Sequence, residues 1–166
     1  MKKFLFSSIE EPAETLEGNA LIKAFTYGKH AGMLTLADDT GLEVDALNGG
    51  PGVRTARYAE GGDDVRNEKL LRELADVSDD RRGARFRTVA AIYDPSTDKV
   101  RTFEGECVGS ITRAYRGTSG FGFSPLFLVN EKNKTLAEME MDELHTVNHR
   151  SKAFKKAKEI LLAEFV

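Results

Sequence analysis

Apolar and polar positions recur with two different periods along this chain, and the points where the period changes outline its elements. Lys3 to Phe6 reads as a short strand. From Thr15 to His30 the apolar Leu16, Ala20, Ile22 and Tyr27 return about one turn apart, which predicts a helix with Gly32 as its stop. Met33 to Ala37 is an apolar run expected as a buried strand. The alternation of LEVDAL, residues 42–47, predicts a second strand, ended by the glycines and proline of NGGPG. Leucines at 70, 71 and 74 make residues 63–77 an amphipathic helix. ARFRTVAAIYD and KVRTFEGECVGSI flank the turn residues PSTD and predict a long hairpin, and SPLFLV a further strand. The tail from Asn148 onward reads as a helix capped by that asparagine, with Ala153, Ala157, Ile160 and Leu161 on one face. Strands mixed with helices predict an α/β fold around a mixed sheet. No repeat or linker divides the 166 residues, so a single domain is expected.

Composition narrows the partners. A chain 40% hydrophobic and 31% charged is an ordinary soluble globular one. A net charge of −3 from 24 basic and 27 acidic residues argues against nucleic acid or an acidic membrane as main partner. Cys107 stands alone and fits a reducing compartment. The apolar run in MKKFLFSS is too short for a signal peptide, and no stretch could span a bilayer. A cytoplasmic location is the expectation.

Candidate chemistry concentrates in LADDTGLEVDALNGGPG, residues 36–52, where two adjacent acids follow an apolar run. One acid capping a turn and the other solvated would account for Asp38 and Asp39. Alternatively, a strand terminus delivers carboxylates into a cleft. Side chains alternate along a strand, so one acid can face a metal while its neighbour anchors the loop. Carboxylate oxygens suit Mg2+, which typically sits between one or two carboxylates and substrate phosphates. Residue types alone leave both readings open.

A longer segment, ADDTGLEVDALNGGPGVRTARYAEG, resembles the signature of the Ham1-type inosine triphosphate pyrophosphatase family. In the same order, ETLEGNALIKA is similar to that family's first helix, GTSGFGFSPLF to its base-pocket loop, and KTLAEMEMDELHTVNHRSKAF to its closing stretch. The resemblance implies an elongated mixed sheet flanked by helices in two lobes, with a central cleft, usually as a homodimer. It implies Mg2+-dependent hydrolysis of purine nucleoside triphosphates (ITP, dITP, XTP) to monophosphate and pyrophosphate. Carried over residue by residue, Asp39 is a metal ligand and accepts the attacking water's proton, and Glu11 is the second metal carboxylate. Lys23 faces the phosphates. Thr40 keeps a substrate-contacting hydroxyl, and Ser8 stands where an N-terminal loop supplies another. Phe121 stacks on the base within a loop continued by Gly122, Phe123 and Ser124, and His149–Arg150 read the purine's keto edge.

Each residue also has a plainer reading. Phe121 fits a core, His149 a helix start, Lys23 a surface position, and the basic run KAFKKAK a solvated helix face. The chain also departs from the family pattern. The asparagine and lysine of the family's N-terminal phosphate loop have no counterpart, so that region is expected to be shortened. Ser124 replaces an aspartate, Leu144 a lysine, and Gly18 a glutamate, the last expected to weaken the helix start by roughly 1 kcal/mol. Two functions remain: a working pyrophosphatase with relaxed substrate choice, or a non-catalytic nucleotide-binding or dimerising member.

Overall fold

The computed structural model describes residues 9–164; the expected strand at Lys3–Phe6 and the candidate Ser8 lie outside the described residues. In chain order the elements are α1 (Leu16–Ala31), β1 (Thr35–Val44), β2 (Gly50–Gly52), α2 (Asp63–Glu73), β3 (Gly83–Asp94), β4 (Lys99–Ile111), β5 (Phe127–Val129), β6 (Lys134–Thr135), α3 (Met141–Val147) and α4 (His149–Glu164). One sheet runs β2-β1-β3-β4-β5-β6. The α/β class is as expected. The sheet expected to be mixed is antiparallel at every described pairing, since β3, β4, β5 and β6 follow one another without a crossover helix. No helix among the described residues is long and apolar enough to cross a membrane.

Local chemistry sets the ends of α1. The Thr15 hydroxyl accepts from Gly18 N at 3.1 Å, and Gly32 closes the helix at φ 63°, a left-handed conformation that glycine adopts without strain. Its buried stripe is Leu16, Ala20, Ala24 and Gly28, at a spacing of four. Small residues let the helix lie close on the sheet: a Cβ added at Gly28 would sit 2.6 Å from the Tyr93 ring. Leu16, Ala20, Ala24, Val89, Ala91 and Tyr93 form the smaller of two cores. The larger, around Leu42, Leu70, Phe86, Phe123, Phe127 and Val147, fills the other side of the sheet.

The two strands expected before the NGGPG turn are one. β1 pairs continuously with β3 from Thr35↔Tyr93 to Val44↔Ala84, straight through Asp38 and Asp39. The polar residues do not end the strand, because the ladder is backbone and needs no particular side chain. They are mid-strand, and alternation puts Asp39 on the α1 face and Asp38 and Thr40 on the face that meets the start of α4. β2 pairs only with residues 42–44, so residues 35–41 have no ladder partner on their outer edge among the described residues.

Helix α4 is seated by its first turn. Asn148 Oδ1 accepts from Arg150 N at 2.8 Å and Ser151 N at 3.3 Å, as the expected N-cap. Beneath it lies Gly105 of β4, where an added Cβ would be 2.1 Å from His149 O and 2.5 Å from Ala153 N. That close approach carries His149 and Arg150 down onto the sheet.

Candidate active site

On the α1 face, Lys23 Nζ lies 2.7 Å from Asp39 Oδ1 and 3.3 Å from Glu11 Oε1. Asn19, one turn before Lys23 and fully buried, braces both sides. Its Nδ2 donates to Asp39 Oδ2 at 3.4 Å and its Oδ1 accepts from Ala13 N at 3.1 Å, which pulls the segment carrying Glu11 against the helix. Gly18 makes that approach possible, since a Cβ there would stand 2.6 Å from Ala13 Cβ. The glycine expected only to weaken the helix therefore positions a carboxylate. The charges are strained by burial. Burial pushes the Asp39 carboxyl above its ordinary range, while Lys23 and Asn19 pull it down. Burial pulls the Lys23 ammonium down, but Asp39 and then Glu11 hold it above its ordinary value. Two carboxylates sharing one ammonium leave excess negative charge, and the donor set is the oxygen type a hard divalent cation prefers. Among the described residues no group of three or more His, Cys, Asp or Glu is gathered for a metal, so remaining ligands would come from water and phosphate.

Cations border this cluster. Arg57 donates to Glu11 O at 3.2 Å. Glu11 and Arg57 line a cavity of about 520 Å³, and Arg57 also lines a neighbouring one of about 710 Å³ with Arg54, Lys69 and Arg87.

On the other face, Arg150 Nε donates to Asp38 Oδ2 at 3.0 Å and Arg150 Nη2 to Thr40 Oγ1 at 3.4 Å. Thr40 Oγ1 is 2.7 Å from Thr88 Oγ1, which is 2.6 Å from His149 Nδ1. His149 stacks on Phe86, ring centroids 5.0 Å apart, and is buried. Burial, then the neighbouring Arg150 charge, pushes its pKa from 6.5 down to about 4, so the imidazole is neutral at physiological pH. Because the folded value lies below the unfolded one, the unfolded chain takes this proton first. His149 therefore contributes stability above pH 6.5 that is lost as the pH falls from 6.5 to about 4, at most about 3 kcal/mol. Thermal melts at pH 7 and pH 4.5 should show a smaller acid-induced loss for His149→Asn than for the parent chain; equal losses would contradict the buried, neutral ring.

The expected base-pocket loop is tied to α2. Gly122 N donates to Asp63 Oδ2 at 2.5 Å, Asn67 Nδ2 donates to Gly122 O at 2.9 Å, and Ser124 Oγ donates to Phe121 O at 2.7 Å. Gly120 and Gly122 at φ 82° and 61° make the tight turn that throws Phe121 outward, 75% exposed, instead of into the core. Phe123 goes the other way: it is buried in the larger core, edge-on to Tyr58, and its side chain supports the loop from beneath. Leu144, at the family's lysine position, packs against the same core.

The structure thus brings Glu11, Lys23 and Asp39 together, and Thr40, His149 and Arg150 together, one residue apart along β1. Phe121 has no ring contact to either group among the described residues. The residue reading missed Asn19 and Thr88 as links, and Asp63 and Asn67 as loop anchors. It left Asp38 without its partner Arg150, which lies 112 positions away. Only the β1–β3 register, Thr40 opposite Thr88, reveals the link between hydroxyls.

Comparison with known proteins identifies the family. Residues 2–160 match the Ham1 family profile. The chain is 49% identical over 158 residues to the dITP/XTP pyrophosphatase of Desulforamulus reducens, covering 94% of this chain and 78% of that protein. It is 52% identical over 149 residues to the dITP/XTP pyrophosphatase of Elusimicrobium minutum, covering 89% and 75%. The solved Ham1 protein of Staphylococcus aureus superposes with a TM-score of 0.89 at 34% identity, over 95% of this chain and 82% of that one. With its fold, its signature segment and nearly its whole length matched, this chain belongs to the Ham1 family.

Proposed function

We propose that this chain is a Mg2+-dependent nucleoside triphosphate pyrophosphatase that converts keto purine nucleotides (ITP, dITP, XTP) to the monophosphate and pyrophosphate. One observation carries the reading: consecutive residues of β1 hold, on opposite faces of the strand, a carboxylate–ammonium cluster suited to phosphate chemistry and a guanidinium suited to a keto oxygen. The names borne by the D. reducens and E. minutum relatives support it. Glu11 and Asp39 are the residues that would hold Mg2+, which when bound supplies charge against the phosphate oxygens. Asp39 is placed to orient a water and take its proton as the water oxygen bonds to phosphorus and the anhydride oxygen leaves with the pyrophosphate. Lys23 sets a cation against the charge that develops on the phosphate oxygens. Arg54 and Arg57 supply further positive charge along the neighbouring cavity, where Lys69 and Arg87 are paired with Glu73 and Glu43, and a triphosphate's outer charges can be met there.

The alternative, a non-catalytic nucleotide-binding member, gives no reason for Asn19 to be buried solely to brace Asp39 and the segment carrying Glu11. A pyrophosphate-release screen over ITP, XTP, dITP and the four common NTPs, with Mg2+ and with EDTA, tests the proposal. Release from keto purines that EDTA stops is expected; no release above blank from any nucleotide would overturn it.

We also infer a homodimer. Met33, Leu34 and Leu36 are 64%, 41% and 40% exposed at the start of β1, an apolar patch beside an edge with no ladder partner among the described residues. Light scattering should report twice the 18.3 kDa chain mass; a monomer at every concentration would count against it.

A further inference from the structure

We propose that Thr88 is a positioning residue: through the relay Thr40–Thr88–His149 its hydroxyl decides which ring nitrogen of His149 carries the proton, and so whether the site offers the purine a donor or an acceptor. The inference rests on the reading of His149 and Arg150 as the base-facing pair.

Thr88 is fully buried in the middle of β3, directly across the ladder from Thr40. A hydroxyl there must be satisfied, and it has two short contacts: Thr40 Oγ1 at 2.7 Å and His149 Nδ1 at 2.6 Å. A threonine hydroxyl has one proton to give, and a neutral imidazole has one N–H. The relay therefore has only two complete polarities. In the first, Thr40 donates to Thr88 and Thr88 donates to Nδ1, so the ring proton sits on Nε2. In the second, Thr40 turns its proton to Asp38 Oδ2, Thr88 donates to Thr40, and Nδ1–H donates to Thr88, leaving Nε2 a bare acceptor.

The distances select the first. The 2.7 Å contact between Thr40 and Thr88 serves both polarities, but the second also needs Thr40 to donate to Asp38 Oδ2 at 3.4 Å, a long bond to an oxygen shared with Arg150 Nε at 3.0 Å. Arg150 Nη2 also donates to Thr40 Oγ1, a bond that occupies one of its two lone pairs in either polarity. His149 Nε2 has no hydrogen-bond partner among the described residues and is not among their fully enclosed polar atoms that lack one. The nitrogen whose character the relay sets is thus the one left to meet a ligand. An Nε2–H beside Arg150 presents donors only, which matches the oxygen of a 6-keto purine and opposes the amino group of adenine. The second polarity would give adenine the acceptor it needs. In this arrangement Arg150 does two jobs: it offers its own N–H groups, and by donating to Asp38 Oδ2 it competes with the Thr40 proton for that acceptor and so favours the histidine as a donor.

The test uses the full chain labelled with nitrogen-15 histidine and no nucleotide, where long-range proton–nitrogen NMR distinguishes the two tautomers. The three histidines are assigned with His149→Asn. The parent chain should show His149 with its proton on Nε2. Thr88→Val, nearly isosteric but without the hydroxyl, should convert the signal to the other form or to a mixture, and Thr88→Ser should restore it. Thr88→Ala serves as the hydroxyl-free variant if the valine chain does not fold. In steady-state assays the ratio of kcat/KM for ITP over ATP should fall about ten-fold in the hydroxyl-free variant, as expected for one lost discriminating contact, and recover in Thr88→Ser. An unchanged tautomer in the hydroxyl-free variant, or a serine variant that behaves like it, would overturn the relay. A converted tautomer with an unchanged ITP-to-ATP ratio would instead overturn the reading of His149 as a base contact, and with it the role in specificity.

Discussion

Asp39→Asn should lower Mg2+-dependent pyrophosphate release by about 10²–10⁴-fold while leaving the fold in place. The substitution nearly conserves shape, so Lys23 Nζ, now 2.7 Å from Asp39 Oδ1, still finds an acceptor, and it keeps Glu11 at 3.3 Å. What is lost is the charge that attracts a cation and the basicity that takes a proton from water. The melting temperature should change little, because the β1–β3 ladder on both sides of residue 39 is backbone and untouched. Circular dichroism and kcat measured on the same preparation separate the two effects, and Mg2+ titration by calorimetry should show weaker binding in Asp39→Asn and in Glu11→Gln. Near-normal turnover by a folded Asp39→Asn chain would remove Asp39 from its role.

Arg150→Ala should collapse the preference for keto purines, reducing the ITP-to-ATP ratio of kcat/KM roughly ten- to a hundred-fold, the value of about 1.5–3 kcal/mol for a hydrogen bond to a charged donor. Arg150 spends Nε on Asp38 and one Nη2 bond on Thr40, which fixes the guanidinium plane and leaves its other N–H groups to meet the base. Arg150→Lys should not rescue the ratio, since a single ammonium cannot hold Asp38 and donate to a keto oxygen in one plane. Removing the arginine also leaves Asp38 without its ion pair, and Arg150→Ala combined with Asp38→Asn controls for that. An ITP-to-ATP ratio unchanged in Arg150→Ala would exclude Arg150 as a base reader.

Much of this molecule is set by local sequence. The four-residue stripe of α1, the Thr15 and Asn148 caps, the Gly32 stop and the hairpin of β3 and β4 depend on neighbours a few residues away, and local periodicity and turn chemistry suffice to place them. The motif resemblance likewise picked out Glu11, Lys23, Asp39, His149 and Arg150 before any of their contacts were known. Tertiary structure decided the rest. The interruption at Asp38–Asp39 reads as a strand end because side-chain polarity is all a sequence shows, whereas the ladder that carries β1 through it comes from β3, some fifty positions on. Phe121 and Phe123, two residues apart in a glycine-rich loop, look equivalent in sequence, yet the positive φ of Gly120 and Gly122 and the anchors on Asp63 and Asn67 send one outward and the other into the core. Gly18 reads as a weak helix position and Gly105 carries no signal in the sequence, but each is the space into which another segment's backbone or side chain fits. Partners such as Asp38 with Arg150 and Thr88 with His149 lie on different elements. Their pairing depends on strand register and on how deeply α4 settles over Gly105, and those are properties of packing between distant segments that no local pattern encodes.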